Sequence, residues 1–326
     1  KDMTFTPRFY AEDKLLLQTE YRKVAQNSNH FSDFSLFNEK DKNSKSHFFY
    51  KYNKSMNFNY FENSDIKFNI EKTSNDTYLK TSKLISPLIE DYDVLENSVA
   101  LSLNSDEMSI NTDFIVYEDL NKKNNSDKYE FILPRLSLTK DIENNTNLNG
   151  NFSFRSNNII RNYQTNVLEK TNINDLIFNS SPRITSNGFY NNYDFILKNV
   201  NSDTQNSKDF KEDENFYLSG LFQYNSSLPL IKDNGNFQNI LKPKLALKIS
   251  PNNTKDMRTN ETKIDVTNIY NLQRLSRNDT IEGGISLSYG NDFTIFDKKN
   301  SRDYFSLEIA NNLRFEENDD LSQSNQ

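Results

Sequence analysis

The segment LKPKLALKIS at 241–250, a long polar run, and then IEGGISLSYG at 281–290 decide the fold. In the first segment Leu241, Leu245, Leu247 and Ile249 fall on one side of a two-residue period. Lys242, Lys244, Lys248 and Ser250 fall on the other. The second segment resumes the pattern with Ile285, Leu287 and Tyr289. Successive strand side chains point to opposite faces, so this period is the signature of a β-strand. The polar excursion at 251–282 ends in Arg277-Asn278-Asp279-Thr280-Ile281-Glu282-Gly283-Gly284. Compact soluble domains use short connections, whereas long loops are common on one rim of an outer-membrane barrel.

The same period recurs along the chain and predicts about fifteen strands, near 3–10, 14–23, 29–37, 46–59, 65–75, 94–103, 107–118, 128–140, 146–158, 162–171, 184–200, 215–225, 239–250, 283–293 and 303–315. No segment shows a comparable helical stripe, so the chain reads as all-β. Four long connections, 76–93, 119–127, 201–214 and 251–282, follow odd-numbered strands of this series, while 172–183 and 226–238, after the tenth and twelfth strands, are longer than such sorting prefers. The tight ones at 60–64, 104–106 and 141–145 follow even-numbered strands. In an up-and-down meander the two classes emerge on opposite rims, as in barrels with short periplasmic turns and long extracellular loops. Strands this long suit a tilted bilayer crossing, which needs about 9–11 residues. The expected fold is therefore an antiparallel up-and-down transmembrane β-barrel, present in part, with residues 1–326 forming one domain.

Composition narrows the alternatives. Only 34% of the residues are apolar, yet there are 25 Phe and 17 Tyr and no Trp. Asn takes roughly one position in six, far above average usage. No run of about 18 apolar residues exists to cross a membrane as a helix, a test that strands of alternating polarity escape. The net charge of −7 argues against a nucleic-acid partner held by a basic surface. Absent cysteine removes thiolate chemistry and internal disulfides. With Lys1 in place of an initiating Met, and a polar tail at 319–326, the chain is expected to be a segment of a longer protein.

Catalytic and cofactor motifs are lacking. His30 and His47 are the two histidines and fall on different strands, as surface or lumen side chains rather than bases or ligands. No phosphate loop, HExxH or G-x-S-x-G occurs. The acidic runs Lys211-Glu212-Asp213-Glu214 and Glu316-Glu317-Asn318-Asp319-Asp320 lack the ligand spacing of a calcium loop and read as solvated loops. The sequons at Asn252, Asn260 and Asn278 are expected by chance in an Asn-rich chain. No enzyme activity, cofactor or metal site is expected. The paired glycines 283 and 284 permit a bulge or a positive φ where the long loop re-enters a strand, or a role in folding that loop inward. Pro7 cannot donate to a β ladder and belongs at a strand start or an edge.

Several of these segments resemble one family. Leu241-Lys242-Pro243-Lys244-Leu245, Ser250-Pro251-Asn252-Asn253, Ile264 to Leu275 and Glu282-Gly283-Gly284 are similar, in order, to a strand, an "SPN" turn, a "D-x-x-N-x-x-x-L-x-R" segment and an "EGG" of the lipopolysaccharide-assembly protein family LptD. Asp265, Asn268, Arg274, Glu282, Gly283 and Gly284 are the matching signature positions. Glu71 to Leu79 resembles the family's "DDTYL" segment, with Asn75 in place of an acid, and Tyr129 to Leu138 its "VLP" strand. Thr6-Pro7-Arg8 and Lys14 to Leu17 resemble its first two barrel strands.

The resemblance implies a non-enzymatic protein of the Gram-negative outer membrane that passes lipopolysaccharide through a barrel lumen and a lateral gate into the outer leaflet. It implies an LptE-type plug lipoprotein as partner and an LptA-type periplasmic bridge, reached through an N-terminal jelly-roll domain that this segment lacks along with the closing strands. It also makes Pro7 a candidate lateral-gate residue, beside its reading as a strand start. A porin or receptor barrel and a secreted β-rich adhesin are the alternatives; the first needs a plug or constriction, the second a short repeat.

Overall fold

A computed structural model describes residues 1–11, 14–210, 212–259, 263–322 and 325. Lys211 of the first acidic run, the Asn260 sequon and residues 323, 324 and 326 of the polar tail lie outside them. Among the described residues, seventeen strands join one antiparallel sheet and helix is confined to two single turns.

The first strands are β1 (Asp2–Tyr10), β2 (Lys14–Ala25), β3 (Ser28–Asn38), β4 (Lys45–Phe58) and β5 (Phe61–Thr73). A loop containing α1 (Tyr78–Thr81) leads to β6 (Val94–Asn104) and β7 (Met108–Asp119). A second helical turn, α2 (Asn125–Lys128), precedes β8 (Tyr129–Ile142), which β9 (Gly150–Tyr163) and β10 (Val167–Ser180) follow. Next come the two-residue β11 (Arg183–Ile184), β12 (Tyr190–Gln205), β13 (Asp213–Ser227) and the short β14 (Leu230–Asn234). The chain continues as β15 (Phe237–Ser250), β16 (Gly284–Asp297) and β17 (Arg302–Arg314). Each strand from β1 to β8 pairs antiparallel with the next. β15 continues this pattern with β16, and β16 with β17. The up-and-down meander expected from the sequence is what the chain forms.

Fourteen of the fifteen expected strands are present, and two short ones join them. The tenth, expected at 162–171, is a correction: a turn at Gln164 and Thr165, both with positive φ, interrupts it. β10 runs instead from Val167 to Ser180, through residues expected to be a connection. β14 pairs with the first half of β15 across a turn at Gly235, whose φ of +63° favours glycine. Five exposed residues carry too little alternation to be seen in advance. The expected loop at 201–214 is a correction: β12 continues to Gln205 and β13 begins at Asp213. Asn201 to Gln205 contains no apolar residue, yet Ser202 and Thr204 are buried on one face, so this end of the strand is polar on both sides.

The chain divides into two compact units. The first comprises Lys1–Lys140, Ser156–Asn172 and Asn201–Asn215; the second comprises Asp141–Arg155, Ile173–Val200 and Phe216–Gln326.

Burial in both units is inverted relative to a soluble sheet. In the second, Leu245, Ile249 and Ile285 remain 37%, 40% and 43% exposed, whereas Lys248, Ser286 and Ser288 are 2%, 3% and 0% exposed. The register fixes this as a property of faces, because Ile249 lies opposite Ile285 and Lys248 opposite Ser286. In the first unit Phe34 and Phe48, opposite each other, are both 43% exposed, while Asp33, Ser35 and His47 are buried. An apolar side chain left in water forfeits about 1.5–3 kcal/mol relative to burial. Repeated over most of the long strands, with β10 and its buried Ile173, Ile177 and Phe178 an exception, that arrangement is unfavourable in water and is what a lipid-facing barrel wall requires.

Candidate functional site

What buries the polar face is the chain's own long loops. In the first unit the loop from 74 to 93 lies on β2 to β5. Tyr78, Leu79, Leu84 and Leu88 form a core with Leu16, Phe49, Leu95 and Leu120. The Tyr78 hydroxyl lies 2.7 Å from Ser35 Oγ, which is itself 2.5 Å from His47 Nδ1. Asp33 approaches the other face of that histidine at 3.5 Å and accepts from Gln18 Nε2, which also donates to the Ile85 carbonyl of the loop. Of the two places expected for it, surface or lumen, His47 takes a buried one on the polar face, as a strut beneath the loop.

In the second unit the loop from 251 to 283 does the same with more charge. Ile281, joined by Leu272, packs on Ile177, Ile196 and Leu221 from β10, β12 and β13. Around this small apolar contact, sheet donors reach loop carbonyls. Lys248 donates to Asn271 and Leu272, Gln223 to Tyr270 at 2.7 Å, and Lys198 to Asn278 at 2.8 Å. Lys198 is also paired with Asp175 at 2.6 Å. Buried cations need such partners, because an unpaired one loses its hydration without compensation.

Arg274 is the centre of the attachment. Its Nε and Nη2 donate to the two Glu282 oxygens, Nη2 also to Ser286 Oγ at 3.0 Å, and Nη1 to Ile269 O, Ser288 Oγ and Asn312 Oδ1. Arg314 of β17 donates to Glu282 from the other side. Loop, β16 and β17 therefore converge on one carboxylate. Burial by itself raises the Glu282 carboxyl, but the Arg274 hydrogen bonds and the charges of Arg274, Arg314 and Lys248 outweigh it and hold it at about 2. Nearby, Asp279 is held below its usual range by Arg277 and Lys255, against the upward push of burial.

The glycines seat this loop. A Cβ on Gly283 would lie 2.0 Å from the Asn252 carbonyl oxygen, and Gly283 N donates to Thr254 Oγ1 at 2.9 Å. The two ends of the loop thus touch through a position with no room for a side chain. Gly284 instead has a φ of +84° with open space around it. On the sheet beneath, a Cβ at Gly290 would meet Tyr270 Oη at 2.6 Å, so a bare backbone in β16 admits the Tyr270 ring.

Against this geometry, a family model described as "LptD: LPS transport system D" matches residues 45–326. The chain belongs to the LPS transport system D family. No curated protein matches the sequence. LptD proteins are lipopolysaccharide-transport β-barrels of the outer membrane, and the antiparallel sheet found here fits part of such a barrel.

The LptD-like signature positions take distinct places. Arg274 and Glu282 pair directly, while Gly283, next in the chain, packs on Asn252 and Thr254 at the other end of the loop. Asp265 and Asn268 form the preceding turn: Asp265 Oδ1 accepts from Thr267, and Asn268 Oδ1 from Asp265 N. That turn presents the Ile269 carbonyl to Arg274. Pro7 lies elsewhere, exposed in β1 and opposite Leu17 of β2. Arg314, Lys198 and Asp175 were not singled out from the sequence. Each reads there as one more charge in a polar chain, and only Ser286 and Ser288, alternating with Ile285, Leu287 and Tyr289, mark the face the loop would cover.

Proposed function

We propose that this chain is part of one barrel domain that receives lipopolysaccharide from the periplasm and releases it to the outer leaflet through a lateral opening. The observation that carries this reading is the inverted burial: apolar residues outward, and a polar face covered by loops of the same chain. In this account the loops 74–93 and 251–283 lie in the lumen and close it in the resting state, while the wall of Leu, Ile and Phe meets lipid. No catalytic step is involved. The work consists of moving an amphipathic molecule whose sugars need hydration and whose acyl chains do not.

The opening is assigned to the edge beside β1. Pro7 removes one ladder donor there, and an edge that must part is easier to part with fewer hydrogen bonds. An LptE-type lipoprotein is the proposed plug, and an LptA-type bridge the proposed source of substrate, reached through a periplasmic domain. In the full-length protein, Pro7→Ala restores a donor at the seam. It is expected to slow lipopolysaccharide arrival at the cell surface and to add hydrogen-exchange protection along β1. Normal export with unchanged protection would reduce Pro7 to a strand-start residue.

A further inference from the structure

Within the first unit, a polar cleft lies beside the loop from 74 to 93, whose Asp76 is paired with Lys128 of its lining. At one end of β7, β8 and β9 this open cleft of about 660 Å³ is lined by Tyr117, Tyr129 and Tyr163 among charged side chains. Tyr117 lies opposite Glu130 in the β7–β8 ladder, so both project from the same face. That face is the polar one, since Ile115 and Ile132, two residues from each, are buried while Phe131 is exposed on the other.

The cleft is held rigid by its own contacts. Arg161 donates to Glu130 at 2.7 Å, and its guanidinium stacks on the Tyr163 ring, 3.9 Å from the centroid. The Tyr163 hydroxyl donates to Glu169 at 3.0 Å, and Glu169 accepts from Ser207 at 2.7 Å. Lys128, in α2 at the rim, bridges Glu118 and Asp76 at 2.8 and 2.9 Å. Side chains already fixed in this way lose little further freedom when a ligand arrives.

The charge balance selects the ligand class. The lining carries three cations, Lys122, Lys128 and Arg161, against three carboxylates, Asp119, Asp127 and Glu130. A phosphate site needs a surplus of the first, and a hard-cation site a convergent set of the second. Among the described residues no group of three or more His, Cys, Asp or Glu side chains is arranged to hold a metal ion. A neutral polyol suits what remains: ring faces for its C–H surface, and alternating donors and acceptors for its hydroxyls. We infer that this cleft is a saccharide-binding subsite, which takes a neutral sugar of the transported glycolipid at the loop-bearing end of the sheet. This deepens the export reading by naming the part of the substrate that the site would hold.

The test uses the full-length protein in detergent and a deacylated, dephosphorylated core oligosaccharide, titrated by saturation-transfer NMR. Parallel titrations use inorganic phosphate and calcium chloride as competitors. Binding of the oligosaccharide is expected, with Tyr117→Leu or Tyr163→Leu weakening it about tenfold, the order expected for a lost aromatic contact. Tyr163→Phe keeps the ring and should weaken it less than about threefold. Heat-modifiable migration identifies variants that remain folded. Absent saturation transfer, equal affinity in both folded Leu variants, or displacement by phosphate or calcium would overturn the assignment. Export is scored separately. Normal export without oligosaccharide binding overturns this inference alone, and binding without export overturns only the export reading.

Discussion

Arg274 grips both carboxylate oxygens of Glu282, Nε to Oε2 and Nη2 to Oε1, each at 2.5 Å. The two residues belong to the same loop, yet the pair also ties that loop to Ser286 and Ser288 of β16 and to Arg314 of β17. A bidentate pair fixes orientation as well as distance. Here it sets which side of the loop faces the sheet.

Removing one partner should therefore cost more than removing an exposed ion pair. Glu282→Gln leaves the buried Arg274 and the nearly buried Arg314 without their carboxylate, and breaking a buried pair typically costs about 3–5 kcal/mol. Urea unfolding of the full-length protein measures it. Arg274→Met combined with Glu282→Leu is expected to cost less than the two single changes added together, because the singles share one interaction.

The same carboxylate makes the loop acid-sensitive. Its folded value of about 2 is below the ordinary 4.5, so its contribution is complete above about 4.5 and is lost as pH falls through about 2. Limited proteolysis of the loop between pH 6 and pH 2.5 should show cleavage rising below about pH 4.5. Glu282→Gln should be cleaved readily at both ends of that range. A wild-type loop equally protected throughout would remove Glu282 as its anchor.

The neighbouring glycines should respond differently. Gly283→Ala places a methyl 2.0 Å from the Asn252 carbonyl oxygen, so the loop ends must separate. Gly284→Ala meets no atom and incurs only the positive-φ strain, roughly 1 kcal/mol. Hydrogen exchange across 251–259 should rise strongly in the first variant and little in the second.

Much of this fold was legible in advance because alternation is written into the strands. Leu245, Leu247 and Ile249 against Lys248 and Ser250 give both the element and its two faces. Where polarity occupies both faces the signal disappears, as at Asn201 to Gln205, and there a strand reads as a loop. The site was half legible. The glycine pair and the Arg274 and Glu282 positions stand out through the family resemblance, whereas Arg314, Lys198 and Asp175 acquire meaning only when the loop folds back. Treating the polar face as open predicts that charged substitutions are tolerated there. Gln223 and Ser286 instead bond the loop, so that tolerance is not expected at either position. Asn149, within the strand expected at 146–158, is an exposed residue of the connection before β9.

The two faces still differ in what they accept. Leu245→Arg puts a charge on the exposed apolar wall and should cost about 2–4 kcal/mol for folding into lipid vesicles if it lies near the midplane. Lys244→Arg keeps the charge and its pairing with Asp292, and should be nearly neutral.

The central claim is that the apolar wall meets lipid. The chain has no cysteine, so single cysteines carrying a nitroxide spin label can be placed in the full-length protein without removing native ones. Labels at Leu245, Ile249, Ile285 and Leu307, compared with Lys242 and Lys244, report collision with oxygen, which partitions into lipid, and with a water-soluble nickel chelate. In lipid vesicles the first four positions should favour oxygen and the two lysine positions the chelate. Chelate access at the leucine and isoleucine sites equal to that at the lysines would contradict a membrane-facing wall.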